Sequence, residues 1–213
     1  MLLSHYQSEL LPEAGCDEAG RGCLAGPVFA AAVIFAPDYE NAALNDSKQL
    51  TARRRYHLRE EIKRDALAWA VASASPEEID TINILNASIL AMHRALEALS
   101  LQPSYVIVDG NRFKPYSAVP HTTIVKGDGR YLAIAAASIL AKTSRDDYMA
   151  RLHNEFPWYG WDHNAGYPTR EHCRGIALHG LTPWHRRSFR LPEAAQPSLF
   201  DTLTANTDAH PAR

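Results

Sequence analysis

Short apolar runs alternate with longer stretches in which apolar residues return every three or four positions. That pattern predicts strands interleaved with helices. Residues 14–17 and 28–35 read as the first two strands, the second closed by Pro37, and residues 66–74 as a third. Tyr105-Val106-Ile107-Val108 is too short an apolar run for a helix and reads as a buried strand ending in Asp109-Gly110-Asn111; residues 121–125 form another strand. Thr51 can cap a helix running to about residue 63. Ser75-Pro76-Glu77-Glu78 has Ser at the cap, Pro at the first helical position and Glu three residues on. The stripe Leu85, Ile89, Met92, Leu96 and Leu99 then predicts a helix packed on the sheet. A long helix is expected over residues 131–156, and its small-residue run 133–138 allows close packing. Residues 157–190, rich in Trp, Tyr, His and Arg, predict short helices and loops. The polar stretch from residue 192 is expected to be disordered. The implied division is a core over 12–155, a helical extension over 156–191 and a tail over 192–213.

The stretch Gly15-Cys16-Asp17-Glu18-Ala19-Gly20-Arg21-Gly22 interrupts this pattern with chemistry. Neighbours on a strand point to opposite faces, so Asp17 and Glu18 share one site only if the strand ends there. The expectation is that it does, with Gly20 and Gly22 forming a turn that a ligand can approach closely. An ordinary hairpin with a solvated acidic tip is the alternative reading.

Composition narrows the class. The chain has 213 residues, 46% hydrophobic and 22% charged, as expected of a globular protein with a sizeable core. A formal net charge of −2 excludes a protein that is basic throughout but leaves room for a local basic patch. The basic residues between Lys48 and Arg64 read mainly as a solvated helix face. Three scattered cysteines, Cys16, Cys23 and Cys173, point away from a disulfide framework or a zinc site. No apolar run is long enough for a membrane span, and the first residues lack the pattern of a signal peptide, so a cytoplasmic protein is expected.

Asp17, Glu18, Asp109 and Asp128 all fall at element ends and could open on one edge of a sheet. Oxygen ligands without matching His or Cys suit Mg²⁺ or Mn²⁺. Two such ions can activate water and stabilise a leaving oxygen in phosphodiester cleavage. Taken singly, Asp128 could equally be a turn residue, and Lys142 could simply pair with Asp146.

Seven segments, in this order, resemble bacterial ribonuclease HII: Asp17-Glu18-Ala19-Gly20-Arg21-Gly22, Asn45-Asp46-Ser47-Lys48, Val108-Asp109-Gly110-Asn111, Lys126-Gly127-Asp128, Ala136-Ala137-Ser138-Ile139-Leu140-Ala141-Lys142, Gly166-Tyr167-Pro168-Thr169 and His185-Arg186-Arg187-Ser188-Phe189. The resemblance implies an α/β, ribonuclease H-like mixed five-stranded sheet flanked by helices, with a small helical C-terminal extension. It implies Mg²⁺- or Mn²⁺-dependent cleavage of RNA in RNA–DNA hybrids, and incision 5′ of single ribonucleotides in duplex DNA that leaves 3′-hydroxyl and 5′-phosphate ends. Asp17, Glu18, Asp109 and Asp128 would be the catalytic metal ligands. Gly20, Arg21 and Gly22 would read the 2′-hydroxyl through backbone groups, Tyr167 would pack on the following deoxyribose, and Lys48, Ser138 and Lys142 would face phosphates. On its own, Tyr167 reads as a core or turn tyrosine. Cys23 and Asn164-Ala165 depart from the family pattern, which usually has Pro and a His-Lys pair there. The loss of that lysine removes an expected phosphate contact.

Two other classes compete: a nucleic-acid binding module without catalysis, against which all four carboxylates count, and a two-metal phosphatase for small substrates, against which the aromatic and Arg-bearing segment 158–190 counts. In the tail, Gln196-Pro197-Ser198-Leu199-Phe200 resembles the sliding-clamp binding pentapeptide, with Pro197 in place of its first Leu. Gln196, Leu199 and Phe200 would then dock on the clamp; Leu199 and Phe200 folding back as an apolar anchor is the alternative. A monomer is expected.

Overall fold

A computed structural model describes residues 2–46 and 50–192. Five strands form one sheet in the order β3-β2-β1-β4-β5. β1 (Glu13–Ala19), β2 (Val28–Ile34) and β3 (Ala68–Ala74) make an antiparallel meander; β4 (Tyr105–Asp109) and β5 (His121–Ile124) add on in parallel to β1. The carboxyl ends of β1, β4 and β5 therefore open on the same edge.

Helices cover both faces. α2 (Pro76–Glu97) lies on one, where Ile79, Met92 and Leu96 bury against Ala14, Cys16, Val106 and Val108. Its predicted capping box is present, with Ser75 Oγ and the Glu78 carboxylate each accepting from the other residue's amide. The helix kinks at Asn83, whose φ of 66° is outside the helical region; its side chain accepts from the Asn86 amide at 3.1 Å, capping the second segment from within. α1 (Ala52–Asp65), capped by Thr51 as expected, and α3 (Leu132–Glu155) cover the opposite face. A Cβ at Gly15 would lie 2.4 Å from the Ala133 carbonyl carbon, so the small residues of α3 and the missing side chain on β1 together let helix and strand approach. The aliphatic run on α3 is buried around most of its circumference because that helix also supports the C-terminal segment.

That segment contains α4 (Trp161–Asn164) and α5 (Arg170–His179). Trp161, Tyr159, Cys173 and Ile176 pack with Met149 and Leu152 of α3 and with Leu24 and Ala25. Residues 24–26 are threaded into it by backbone hydrogen bonds: Leu24 N–H to Gly166 O, Gly26 N–H to Trp184 O and Arg186 N–H to Leu24 O, each 2.8 Å. The loop that follows the acidic pair is thus fixed by chain more than a hundred residues away. No helix among the described residues is long and apolar enough to cross a membrane.

Candidate active site

Contrary to the expectation from the sequence, β1 runs on past the acidic pair to Ala19. β1 does not end at Asp17. Its pairing with β2 stays regular through Asp17↔Ala31, Glu18↔Ala30 and Ala19↔Phe29. Asp17 and Glu18 consequently leave the strand on opposite faces. Asp17 shares the α3 side with Gly15, and its carboxylate is hydrogen-bonded by Ser138 of α3. Glu18 points to the α2 side and lines a recess of about 200 Å³ with Ser88, Ile89, Met92 and Asp109. The pair brackets the strand end rather than sitting side by side.

Asp109 closes β4, which is in parallel register with β1 through Cys16↔Val108, so Asp109 stands beside Asp17 one step further on. Asp109 Oδ1 accepts from the Gly127 amide at 2.7 Å. This brings the short turn Gly127–Gly129, which carries the buried Asp128, against the end of β4. Burial raises the pKa of Asp17 first, the nearby Glu18 and Asp109 charges add to it, and Ser138 opposes them. Burial likewise raises Glu18, against the lowering effect of Arg21, which donates to its carboxylate at 3.0 Å. Oxygen-only donors crowded so that burial and mutual repulsion disfavour ionisation suit a divalent cation, which would reverse that penalty. Among the described residues no three of His, Cys, Asp and Glu already stand in metal-holding geometry. Glu18 is turned toward Arg21 and Asp109 toward the Gly127 amide, so side-chain rotation would accompany binding.

Beside the carboxylates lies a cleft of about 430 Å³ lined by Glu18, the 20–22 turn, Ser138, Lys142 and Tyr167. Gly20 adopts φ of +94°, and a Cβ there would fall 2.0 Å from Arg145 Nε. Gly22 is different: its Cβ would meet only Tyr167 Cε1, at 3.8 Å across the opening. Two fully buried guanidiniums fix this turn. Arg145 donates to the carbonyls of Pro27, Ala165 and Ala25 at 3.0, 2.7 and 2.9 Å. Arg186 donates to Gly26 O at 3.0 Å and to Arg21 O at 2.9 Å, and burial lowers its pKa to about 10. The Lys142–Asp146 pair read from their spacing is formed. Lys48, Gln196, Leu199 and Phe200 lie outside the described residues.

Tyr167 is 43% exposed at the rim of the cleft, so it is not a core tyrosine. Its backbone is held from below. The Trp161 indole donates to His172 Nε2 at 3.1 Å, which leaves the His172 proton on Nδ1, 2.9 Å from Tyr167 O. His185 Nδ1 accepts from the Thr182 amide at 2.9 Å, and its Nε2 lies 3.1 Å from His172 Nε2. Burial depresses both histidines, His185 to about 4, and both are neutral supports rather than metal ligands.

The profile of the ribonuclease HII family matches residues 14–192. The chain belongs to the ribonuclease HII family. It is 64% identical over 200 residues to a ribonuclease HII of Bacteroides fragilis, covering 94% of this chain and 99% of that protein. It is 56% identical over 190 residues to the one from Porphyromonas gingivalis, with 89% and 94% covered. Among solved structures, the ribonuclease HII of Archaeoglobus fulgidus, determined in complex with PCNA, superposes with a TM-score of 0.71 at 28% identity over 90% of this chain and all of that one. The ribonuclease H2 of Pyrococcus horikoshii gives 0.70 at 26% identity, with 86% and 94% covered. As a ribonuclease HII, the chain is a ribonuclease H that acts on RNA–DNA hybrids, in a divalent-metal-dependent family.

Two residues that fix the turn were not assignable from the sequence. Arg186 lies in the matched segment 185–189, yet nothing in the sequence says that it reaches Arg21 O. Arg145 has no motif signal at all. The departures are absorbed locally. Asn164 donates to Tyr159 O at 2.6 Å and accepts from the Gly166 amide at 2.8 Å, building the turn that presents Tyr167. Cys23 is buried, with its thiol in hydrogen-bond contact with the Tyr167 hydroxyl.

Proposed function

We propose that this ribonuclease HII incises duplex DNA on the 5′ side of a single embedded ribonucleotide, as well as cutting longer hybrids, by a two-metal mechanism with Mg²⁺ or Mn²⁺. The observation that carries this reading is one cleft in which Glu18 of β1 meets the Gly20–Arg21–Gly22 turn and the exposed Tyr167 ring, with Asp109 in the adjoining recess that Glu18 also lines. Asp17, Glu18, Asp109 and Asp128 are the residues assigned to hold the ions. When bound, such ions activate water as the nucleophile and stabilise the leaving oxygen. The chain does the rest. The turn, clamped through Arg21 O and Gly26 O by Arg186, presents backbone groups to the 2′-hydroxyl, the feature that separates RNA from DNA. Tyr167 offers its exposed ring to the next sugar. Ser138 orients Asp17 and, with Lys142, faces the phosphate path; Lys48 is assigned to that path by motif. Residues 12–155 carry the chemistry and 156–191 position its substrate.

The test is a duplex with one ribonucleotide, labelled at either end and incubated with Mg²⁺ or Mn²⁺. One cut on the 5′ side, leaving 3′-hydroxyl and 5′-phosphate ends, is expected. Cleavage 3′ of the ribonucleotide, or only in long hybrids, would contradict the reading. We further propose that Gln196, Leu199 and Phe200 dock on the sliding clamp, raising the local enzyme concentration at new DNA. The archaeal relative determined with PCNA is consistent with such a partner. Undiminished clamp binding by a chain ending at residue 191 would refute it.

A further inference from the structure

Beyond Glu18 the cleft does not stop. The recess that contains Glu18 and Arg21 also contains Asp109, Asn111 and Arg112. Asn111 and Arg112 in turn open a groove of about 580 Å³ that runs past Lys114 to His121, with Leu85 and Ile89 along its floor. Shared lining residues make the three depressions one path, from Tyr167 across the carboxylates to His121. Arg112 and Lys114 are exposed on this last section, and among the described residues none of its lining is acidic. The loop that carries them is built, not loose. Phe113 stands edge-on to both His93 and His121, with ring centroids 5.1 Å apart in each case, and His93 Nε2 donates to Lys114 O at 3.0 Å. Two cations are therefore held on a pinned backbone, above an apolar floor, at the far end of a path through the catalytic carboxylates.

We propose that this groove holds the phosphate backbone of the cleaved strand on the 5′ side of the cut, with Arg112 and Lys114 each facing a phosphate. The assignment rests on the incision reading, which fixes the polarity. With Tyr167 on the sugar after the ribonucleotide and the 20–22 turn on its ribose, the scissile phosphate falls at the carboxylates. The strand then continues 5′ past Asp109. The groove accordingly retains the piece that leaves with the 3′-hydroxyl.

Neutralising both cations, Arg112→Gln with Lys114→Gln, tests this, since both side chains are exposed. Two ribonucleotide-containing duplexes are compared by fluorescence anisotropy: one with a long 5′ flank, and one whose ribonucleotide strand begins one nucleotide 5′ of the cut. Each phosphate contact contributes about 0.9 to the slope of log affinity against log salt. Two lost contacts lower the slope by about 1.8, so the loss of affinity between about 50 and 200 mM salt becomes about 12-fold smaller in the variant on the long-flank duplex. On the short-flank duplex the slopes of wild type and variant converge. Equal slopes on the long-flank duplex, or the same difference on both, would overturn the groove assignment while wild-type cleavage of the long-flank duplex upholds the incision reading. Failure of wild type to cut that duplex would overturn both.

Discussion

Gly22→Ala separates recognition from folding more cleanly than any other single change at this site. Gly22 has no positive φ, and an added Cβ would meet nothing closer than Tyr167 Cε1 at 3.8 Å, an ordinary contact. A Gly-to-Ala change at a compatible position stabilises a protein by about 0.4–1 kcal/mol through the unfolded state. The variant should therefore melt at or slightly above the wild-type temperature. The methyl, however, projects into the opening between the turn and Tyr167, where the ribose is proposed to lie. An overpacked contact of this kind costs about 1–3 kcal/mol. If that cost falls on the transition state, kcat/KM drops about 5- to 150-fold, at 1.36 kcal/mol per tenfold. The assay pairs a thermal melt with cleavage of a single-ribonucleotide duplex under subsaturating conditions. Wild-type melting together with wild-type kcat/KM would refute the placement of the ribose.

Three further outcomes follow from the same supports. Gly20→Ala forces a left-handed backbone and a collision with the buried Arg145, at about 1–2 and 1–3 kcal/mol respectively, so its thermal midpoint should fall well below that of Gly22→Ala; equal midpoints would contradict this. Arg186→Lys cannot reach both Gly26 O and Arg21 O, and should cost about 1–3 kcal/mol in denaturant unfolding and weaken cleavage of the single-ribonucleotide duplex, whereas unchanged values for both would contradict the clamp. His185 has a folded pKa of about 4 against 6.5 unfolded, so its stabilising contribution is complete above pH 6.5 and is lost as pH falls toward 4. The loss amounts to about 3 kcal/mol. Chemical denaturation across this window should show a smaller rise of stability with pH in His185→Asn than in wild type, because the variant lacks this contribution; an equal rise would contradict it.

Much of the fold was legible in local pattern. The capping box at Ser75, the Thr51 cap and the stripe on α2 all act within a few residues, and each appears where the spacing put it. The end of β1 was misjudged because an acidic pair before Gly-Arg-Gly looks like a solvated turn. Hydrogen bonding to β2, which continues to Ala19↔Phe29, outweighs that local signal and sends Asp17 and Glu18 to opposite faces. The kink at Asn83 was equally hidden, since nothing in the stripe of α2 marks it. Motifs located the cleft-lining residues, but not what fixes them. Arg145 and Arg186 work through carbonyls far away in the chain, and the His185–His172–Tyr167 connection exists only once α5 and the following loop have packed against Trp161. The Tyr167 ring, which the sequence allowed to be a core residue, is exposed at the rim of the cleft.

The most direct measurement of the account is single-turnover cleavage of a duplex carrying one ribonucleotide by wild type and by Asp109→Asn, each with Mg²⁺, with Mn²⁺ and with chelator, alongside anisotropy binding of the same duplex. Asp109 joins the two halves of the site, since it stands next to Asp17 in register and accepts from the turn that carries Asp128. Wild type should cut on the 5′ side of the ribonucleotide only when a divalent ion is present. Asp109→Asn should lose that cut with duplex binding largely retained, because phosphate contacts carry much of the affinity. Wild-type turnover by Asp109→Asn, or a wild-type cut undiminished in chelator, would contradict it.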